Sequence, residues 1–361
     1  MHRFCFSNDA FQNLVLPEAD DEIRDVDQWW TILSTADQII RQEKCEFVGS
    51  RRTERTDRGI KEIPGVLRRK VNALVPEPLY DKKSGKAYCR KADQVGGETY
   101  FYDVPKLEKE FGEEQFVEKF FRPFEGVAAS ILKRWLERLE SGTYFRIYQE
   151  ERALFALFLA TQIVRTPYHR QFVMQMGAAI EKLRLTAYLE AKHPEVAAEE
   201  LKISWDKKRE PYLHAEQIVD EEKIERVAYI LNNHIWTVMA NPTPRPLYTS
   251  DNPIIKKPRK RGGWRSFAGY ASEGIEINFP LSPRFALSMV ERTYWKKFEK
   301  FDGKLSPNPL KDENIDHYNL IRVDDATRFV FCPENDFVLA RMFCIEFPDT
   351  TDPERPLLSV R

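Results

Sequence analysis

With 361 residues, 42% hydrophobic and 31% charged, the chain has an ordinary globular composition and enough length for one large core or two modest ones. Lys plus Arg number 56 against 57 Asp plus Glu, so net charge selects no partner and any electrostatic case rests on local clusters. Five scattered cysteines (Cys5, Cys45, Cys89, Cys332, Cys344), never spaced Cys-x-x-Cys, argue against a disulfide framework or zinc knuckle and for reduced thiols in a cytosol.

The opening residues, 1–7, are too short for the apolar core of a secretion signal. No run approaches the roughly 20 apolar residues of a membrane span, so the chain reads as cytoplasmic with no membrane partner. Residues 1–75 form a charged N-terminal segment, partly helical. An acidic block (Glu18, Asp20, Asp21, Glu22, Asp25, Asp27) precedes a basic one (Arg51, Arg52, Arg55, Arg58, Lys61, Arg68, Arg69, Lys70). Between them, 26–47 carries Trp29, Trp30, Ile32, Leu33, Ile39 and Ile40 as one amphipathic helix. Pro76 and Pro78 punctuate the chain and open a main domain over 76–345, with 346–361 as a tail.

Residues 79–88 predict a β-hairpin with Ser84-Gly85 in its turn, and 99–102 another short strand. From Leu107 helices dominate. In 125–139 the apolar positions recur at three and four, and Ser141-Gly142 supplies the stop. Residues 149–165 are apolar nearly all round, which places that helix centrally in the core. Thr166 caps and Pro167 opens a further helix running to Ala191. A helix follows over 214–233. The period then shortens: 235–239, 246–249, 275–279, 285–290 and 328–332 read as strands, and 312–321 as a helix. The fold class is α+β, a helical centre with a small, mostly antiparallel sheet from the C-terminal third.

Three constellations can carry chemistry. In Thr249-Ser250-Asp251-Asn252-Pro253, Pro253 biases Asn252 to extended geometry. Asp251 and Ser250 then either bond nearby backbone N–H groups in an Asx turn or present oxygens to a polar ligand or a metal-bound water. Glu276 is the nearest candidate for a second carboxylate. Gln162 and Arg165 share a helix face; the arginine is either a structural ion pair or a fork for a phosphate or carboxylate, with His169 one turn on. Lys256, Lys257, Arg259, Lys260, Arg261 and Arg265 surround Gly262, Gly263 and Trp264. Such a run suits a solvated loop, a nucleic-acid backbone or a phosphorylated small molecule. His234 and His317 read as core histidines, and no phosphate-binding glycine loop, zinc-protease or nucleophile-elbow motif occurs.

Tyr80-Asp81-Lys82, Gln162-x-x-Arg165-Thr166-Pro167, Ser250-Asp251-Asn252-Pro253 and Pro280-Leu281-Ser282-Pro283 resemble the motif series of a bacterial group, domain of unknown function 4238. The resemblance spans 79–332. Members of that group open with a His-Tyr-Val-Pro-Gln element, of which only Arg3-Phe4-Cys5-Phe6-Ser7 echoes the end. It implies a shared fold and pocket but no assigned reaction.

Two functions remain open at this point. One is an enzyme acting on a phosphodiester or nucleotide, a nuclease-like hydrolase or a defence or toxin effector. In it Asp251 serves as base or as ligand to a divalent metal, Asn252 and Gln162 orient the substrate, and Arg165 with the basic run binds phosphate. The other is a non-catalytic module binding nucleic acid or a protein. Substrate, metal and oligomeric state are open in both.

Overall fold

The computed structural model describes residues 77–90, 116–192, 213–215, 218–258, 269–305 and 308–357, with 109 and 112 besides. The expected N-terminal segment over 1–75, the strand over 99–102 and the basic residues Arg259, Lys260, Arg261 and Arg265 lie outside them.

The hairpin forms as β1 (Glu77–Asp81) and β2 (Lys86–Arg90), with Gly85 at φ 67° taking the left-handed position of the turn. Helix α1 (Phe116–Glu140) starts nine residues before the expected 125, because Val117 and Phe121 extend the buried stripe that continues through Ala128, Ile131 and Trp135. It stops where Gly142, at φ 71°, lets Thr143 N donate to Arg138 O at 2.8 Å. After β3 (Phe145–Arg146), α2 (Gln149–Val164) is buried on nearly every side, as its composition requires. Thr166 Oγ1 accepts from His169 N at 3.1 Å and so caps α3 (Pro167–Lys192), with Pro167 first in the helix.

Helix α4 (Glu221–Asn232) begins later than the expected 214, because Asp220 accepts from Lys223 N at 3.2 Å and fixes the start there. The strands that follow are β4 (Ile235–Ala240), β5 (Thr249–Ser250), β6 (Ile255–Lys257), β7 (Glu276–Ser282) and β8 (Phe285–Val290). A 3₁₀ turn (Lys296–Phe301), β9 (Lys304–Leu305) and β10 (Asn308–Pro309) lead to α5 (Asp312–Asp325), β11 (Phe329–Phe331), α6 (Val338–Glu346) and a final 3₁₀ turn (Pro348–Thr351).

The architecture is α+β as expected, with the strands arranged in two small, mostly antiparallel sheets of five and four strands rather than one. One runs β10-β4-β8-β7-β6, antiparallel except where β10 meets β4. The other runs β2-β1-β11-β5, recruiting the early hairpin to the C-terminal strands. Arg328 draws it there: its guanidinium makes a two-pronged contact with Asp81, at 3.1 and 2.9 Å. A third pair, β3 with β9, is short.

The five-stranded sheet separates two cores. On one face Ile277, Phe279, Leu287, Met289, Trp236 and Val238 pack with α1, α2 and α4. On the other Met239, Ile255 and Ala286 pack with Ile315 and Tyr318 of α5. β6 and β10 are the two edge strands of this sheet. Among the described residues no helix is long and apolar enough to cross a membrane.

Candidate functional site

The Ser250-Asp251-Asn252-Pro253 motif meets one turn, the exit from α5. Asp251 Oδ1 accepts from Thr327 N at 2.9 Å, and its Oδ2 accepts from Arg328 N at 2.7 Å and Phe329 N at 2.9 Å. Ser250 Oγ donates to Asn252 O at 2.8 Å and accepts from Asn252 N at 3.2 Å. Asn252 Nδ2 donates to Asp325 O at 3.3 Å. The Ser-Asp-Asn-Pro element therefore fastens residues 325–329, and Asp251, read as base or metal ligand, has both oxygens occupied by backbone donors. Burial pushes its carboxyl up against the pull of those three N–H groups and of Lys82.

Lys82 belongs to the same construction. It is 1% exposed, and its Nζ donates to Val323 O at 2.5 Å, Ala326 O at 2.8 Å and Asp324 O at 3.5 Å. A lysine on the last carbonyls of a helix complements the dipole there and satisfies orphan acceptors. Such caps let α5 run on to Asp325, four residues past the expected end at 321. Burial, with Arg355 nearby, pulls Lys82 down to about 8.

What the turn holds out is Asp325. Its carboxylate has no hydrogen-bond partner among the described residues, although protein surrounds it closely enough that burial, with the adjacent Asp324, pushes its pKa up to about 7. The charges that pull the other way are Lys256, Arg355 and Lys82. Solvent still reaches the side chain. Tyr168, His169, Lys256 and Tyr270 are half-buried in the same way.

Lys256 comes from the rim of β6 and lies over the Tyr270 ring at 4.7 Å. Burial lowers its pKa and Asp325 counteracts that. Tyr270, raised by burial, senses Tyr168 and Asp325, and its backbone O pairs with His234 Nε2 at 2.9 Å. His169 faces the His214 ring at 6.3 Å and senses Lys256. Its Nε2 is buried without a hydrogen-bond partner among the described residues. Four separate stretches of chain, the start of α3, β6, the residues before β7 and the end of α5, thus bring a cation, two phenols, an imidazole and a carboxyl within electrostatic reach of one another, with Lys256 against the Tyr270 ring.

Of the residues singled out from sequence, His169, Lys256 and, through its amide, Asn252 meet here. Others point elsewhere. Arg165 pairs with Glu125 of α1 and stacks over Phe121 at 5.4 Å. Gln162 is half-buried, with no hydrogen bond to its amide among the described residues. Lys257 turns to the opposite face of the sheet, 4.0 Å from Glu276, whose Oε1 accepts from Tyr318 OH. Among the described residues no group of three or more His, Cys, Asp or Glu is placed to hold a metal. Asp325, Tyr168, Tyr270, Lys82 and Arg355 were not singled out. A signal for the first was present: Asp324-Asp325 puts two negative charges at the C-terminal end of a helix, where the dipole opposes them.

The site makes the protein sensitive to acid. Burial pulls His169, His214 and His234 down to about 4, about 3 and about 4. An imidazole with a native pKa below its unfolded value, about 6.5, binds fewer protons folded than unfolded. Its contribution is intact above pH 6.5 and is lost as the pH falls towards 4. Urea unfolding at pH 7 and pH 5 should show a net loss of ~1 kcal/mol, after offsets from Asp325 and Glu225, both held near 7 by burial and both titrating in the opposite sense. An unchanged midpoint would mean that the three rings are not neutral in the native state.

The family model described as "Protein of unknown function (DUF4238)" matches residues 78–336. No curated protein and no solved structure matches the chain.

Proposed function

The chain belongs to the DUF4238 family, and since that description assigns no reaction, we propose from the cluster around Lys256 and Asp325 that the protein is an enzyme acting on a nucleotide or phosphodiester. The observation that carries this is the meeting of Lys256 and Asp325 at the β6 rim, flanked by Tyr168, Tyr270 and His169. Lys256 offers a fixed positive charge to a phosphoryl oxygen. The tyrosines offer ring faces and hydroxyls to a nucleoside. Asp325, titrating near neutrality, can both give and take a proton, as general acid–base work on a phosphorus ester requires. His169, neutral at the same pH, offers a ring nitrogen as a hydrogen-bonding group rather than a base. The described cysteines Cys89, Cys332 and Cys344 are free thiols, in keeping with a reducing cytosol as the place of action.

The test is turnover of bis(p-nitrophenyl) phosphate, dinucleotides and 5′-nucleotides by the full chain and by Lys256→Ala. Turnover is expected in the parent and should drop by about 10²-fold or more in the variant, with the circular dichroism unchanged. Binding of the same compounds without turnover, weakened by salt, would replace the enzyme with a binding module. Neither binding nor turnover would remove the proposal.

A further inference from the structure

Residues 348–357 lie beyond the matched family region and fold back against α3 and the exit from α5. Arg355 is 5% exposed and works at both of its ends. Its guanidinium donates to Asp324 O at 2.5 Å and Ala326 O at 3.1 Å, the carbonyls on either side of Asp325, and to Thr350 O at 3.1 Å. Its own carbonyl accepts from Gln171 Nε2 at 2.7 Å and Gln175 Nε2 at 3.1 Å, one turn apart on α3. Leu357 N then donates to Gln175 Oε1 at 2.7 Å. A single residue is thus tied to the helix that carries Tyr168 and His169 and to the turn that carries Asp325.

We propose that the C-terminal segment is a strap joining α3 to the turn at the end of α5, and that Arg355 is its positioning residue, fixing the place and the charge surroundings of Asp325. This rests on the reading of Asp325 as the acid–base group. The geometry favours a strap over a simple helix cap, because Lys82 already donates to both Asp324 O and Ala326 O. A second cation on the same two carbonyls is redundant for capping alone, whereas its backbone link to α3 has no other source in this turn. The charged and titratable groups around Asp325 are Asp324 and Arg322 on α5, Lys256 on β6, Lys82 after β1, Arg355 on the strap, and the Tyr270 hydroxyl. Arg355 is the one among them that arrives on the strap.

The experiment is a carbon-13 NMR titration of the Asp325 carboxyl in the full chain, which needs no substrate. In Arg355→Met the titration midpoint should rise by about half a pH unit or more, and Arg355→Lys should restore most of that rise. Gln171→Leu with Gln175→Leu cuts the other end of the strap and leaves the guanidinium in place. It should speed hydrogen exchange at residues 355–357 and broaden the Asp325 resonance, and it keeps the test open if Arg355→Met does not fold. An Asp325 resonance unmoved in Arg355→Met, or unaltered in the glutamine pair, overturns the proposal. If no phosphorus ester is turned over but these shifts occur, the strap stands and the assigned reaction falls.

Discussion

Asp325→Asn is expected to abolish turnover and, above pH 7, to make the protein more stable. The two effects have one cause. The carboxyl is set among protein atoms beside Asp324, without a hydrogen bond to protect its charge, so its pKa rises from 3.8 to about 7. Between those values the native state binds more protons than the unfolded chain, so stability falls as the pH rises through that window, and the full penalty is present above 7. At about 1.4 kcal/mol per unit the upper bound is about 4 kcal/mol; partial solvent access brings the expected gain on substitution to ~2 kcal/mol. Asparagine carries no charge to desolvate and keeps the shape. Urea midpoints at pH 8 should therefore favour the variant, and the advantage should vanish at pH 4. Turnover at pH 7 should fall by about 10²–10⁴-fold, the usual worth of a general acid or base. An active variant would remove Asp325 from the chemistry. An inactive variant no more stable at pH 8 would mean that the carboxyl is not strained by its setting.

A group placed against the stability of its own fold is a common mark of function, and the chain keeps Asp325 in place with several independent ties. Asn252 holds its carbonyl, Lys82 and Arg355 hold the carbonyls beside it, and Asp251 holds the next three N–H groups. Elsewhere charge is treated differently. Asp302 receives Arg152 at 2.9 Å, Arg292 at 2.5 Å and Trp236 N at 2.9 Å, so that buried cluster is satisfied throughout its carboxylate. Asp325, like the half-buried Glu225, has no such donor among the described residues.

Local physics was legible in the residues. The all-round apolar run of α2 specified burial, Thr166-Pro167 specified the break into α3, and Ser84-Gly85 specified the hairpin turn. The family resemblance, read from short motifs, also holds over the matched residues. The joining of distant pieces was not legible. Lys82 meets residues some 241 positions away through backbone carbonyls, which every residue possesses and no sequence pattern marks. Strand β6 is three residues long, too short for alternation to show, yet it carries Lys256 to the rim. The motifs stood out because they are polar and rigid, and those qualities suit a fastening as well as a site. Ser282 illustrates it: its Oγ accepts from Arg284 N and Phe285 N, both at 3.2 Å, and so closes the β7–β8 turn.

The sharpest separation of fastening from chemistry comes from Asp251→Ala, expected to cost ~3–5 kcal/mol, near the top of the range for single substitutions. Three backbone donors lose their acceptor at once, and a buried unsatisfied donor costs about 1–3 kcal/mol. Lys82 also loses a negative neighbour that supports its charge. The damage should spread along β11, whose register with β5 sets Val330 opposite Ser250 and Phe331 opposite Thr249. Asp251→Asn keeps one oxygen but turns an amide N–H₂ towards a backbone N–H, so an intermediate cost is expected. Urea unfolding measures both, and turnover should decline only as far as the folded fraction and the placement of Asp325 decline. The two aspartates then have opposite signatures: Asp325→Asn inactive and stabilised, Asp251→Asn destabilised and partly active. If Asp251→Asn instead proved fully stable and inactive while Asp325→Asn retained turnover, the roles assigned to the two carboxylates would have to be exchanged.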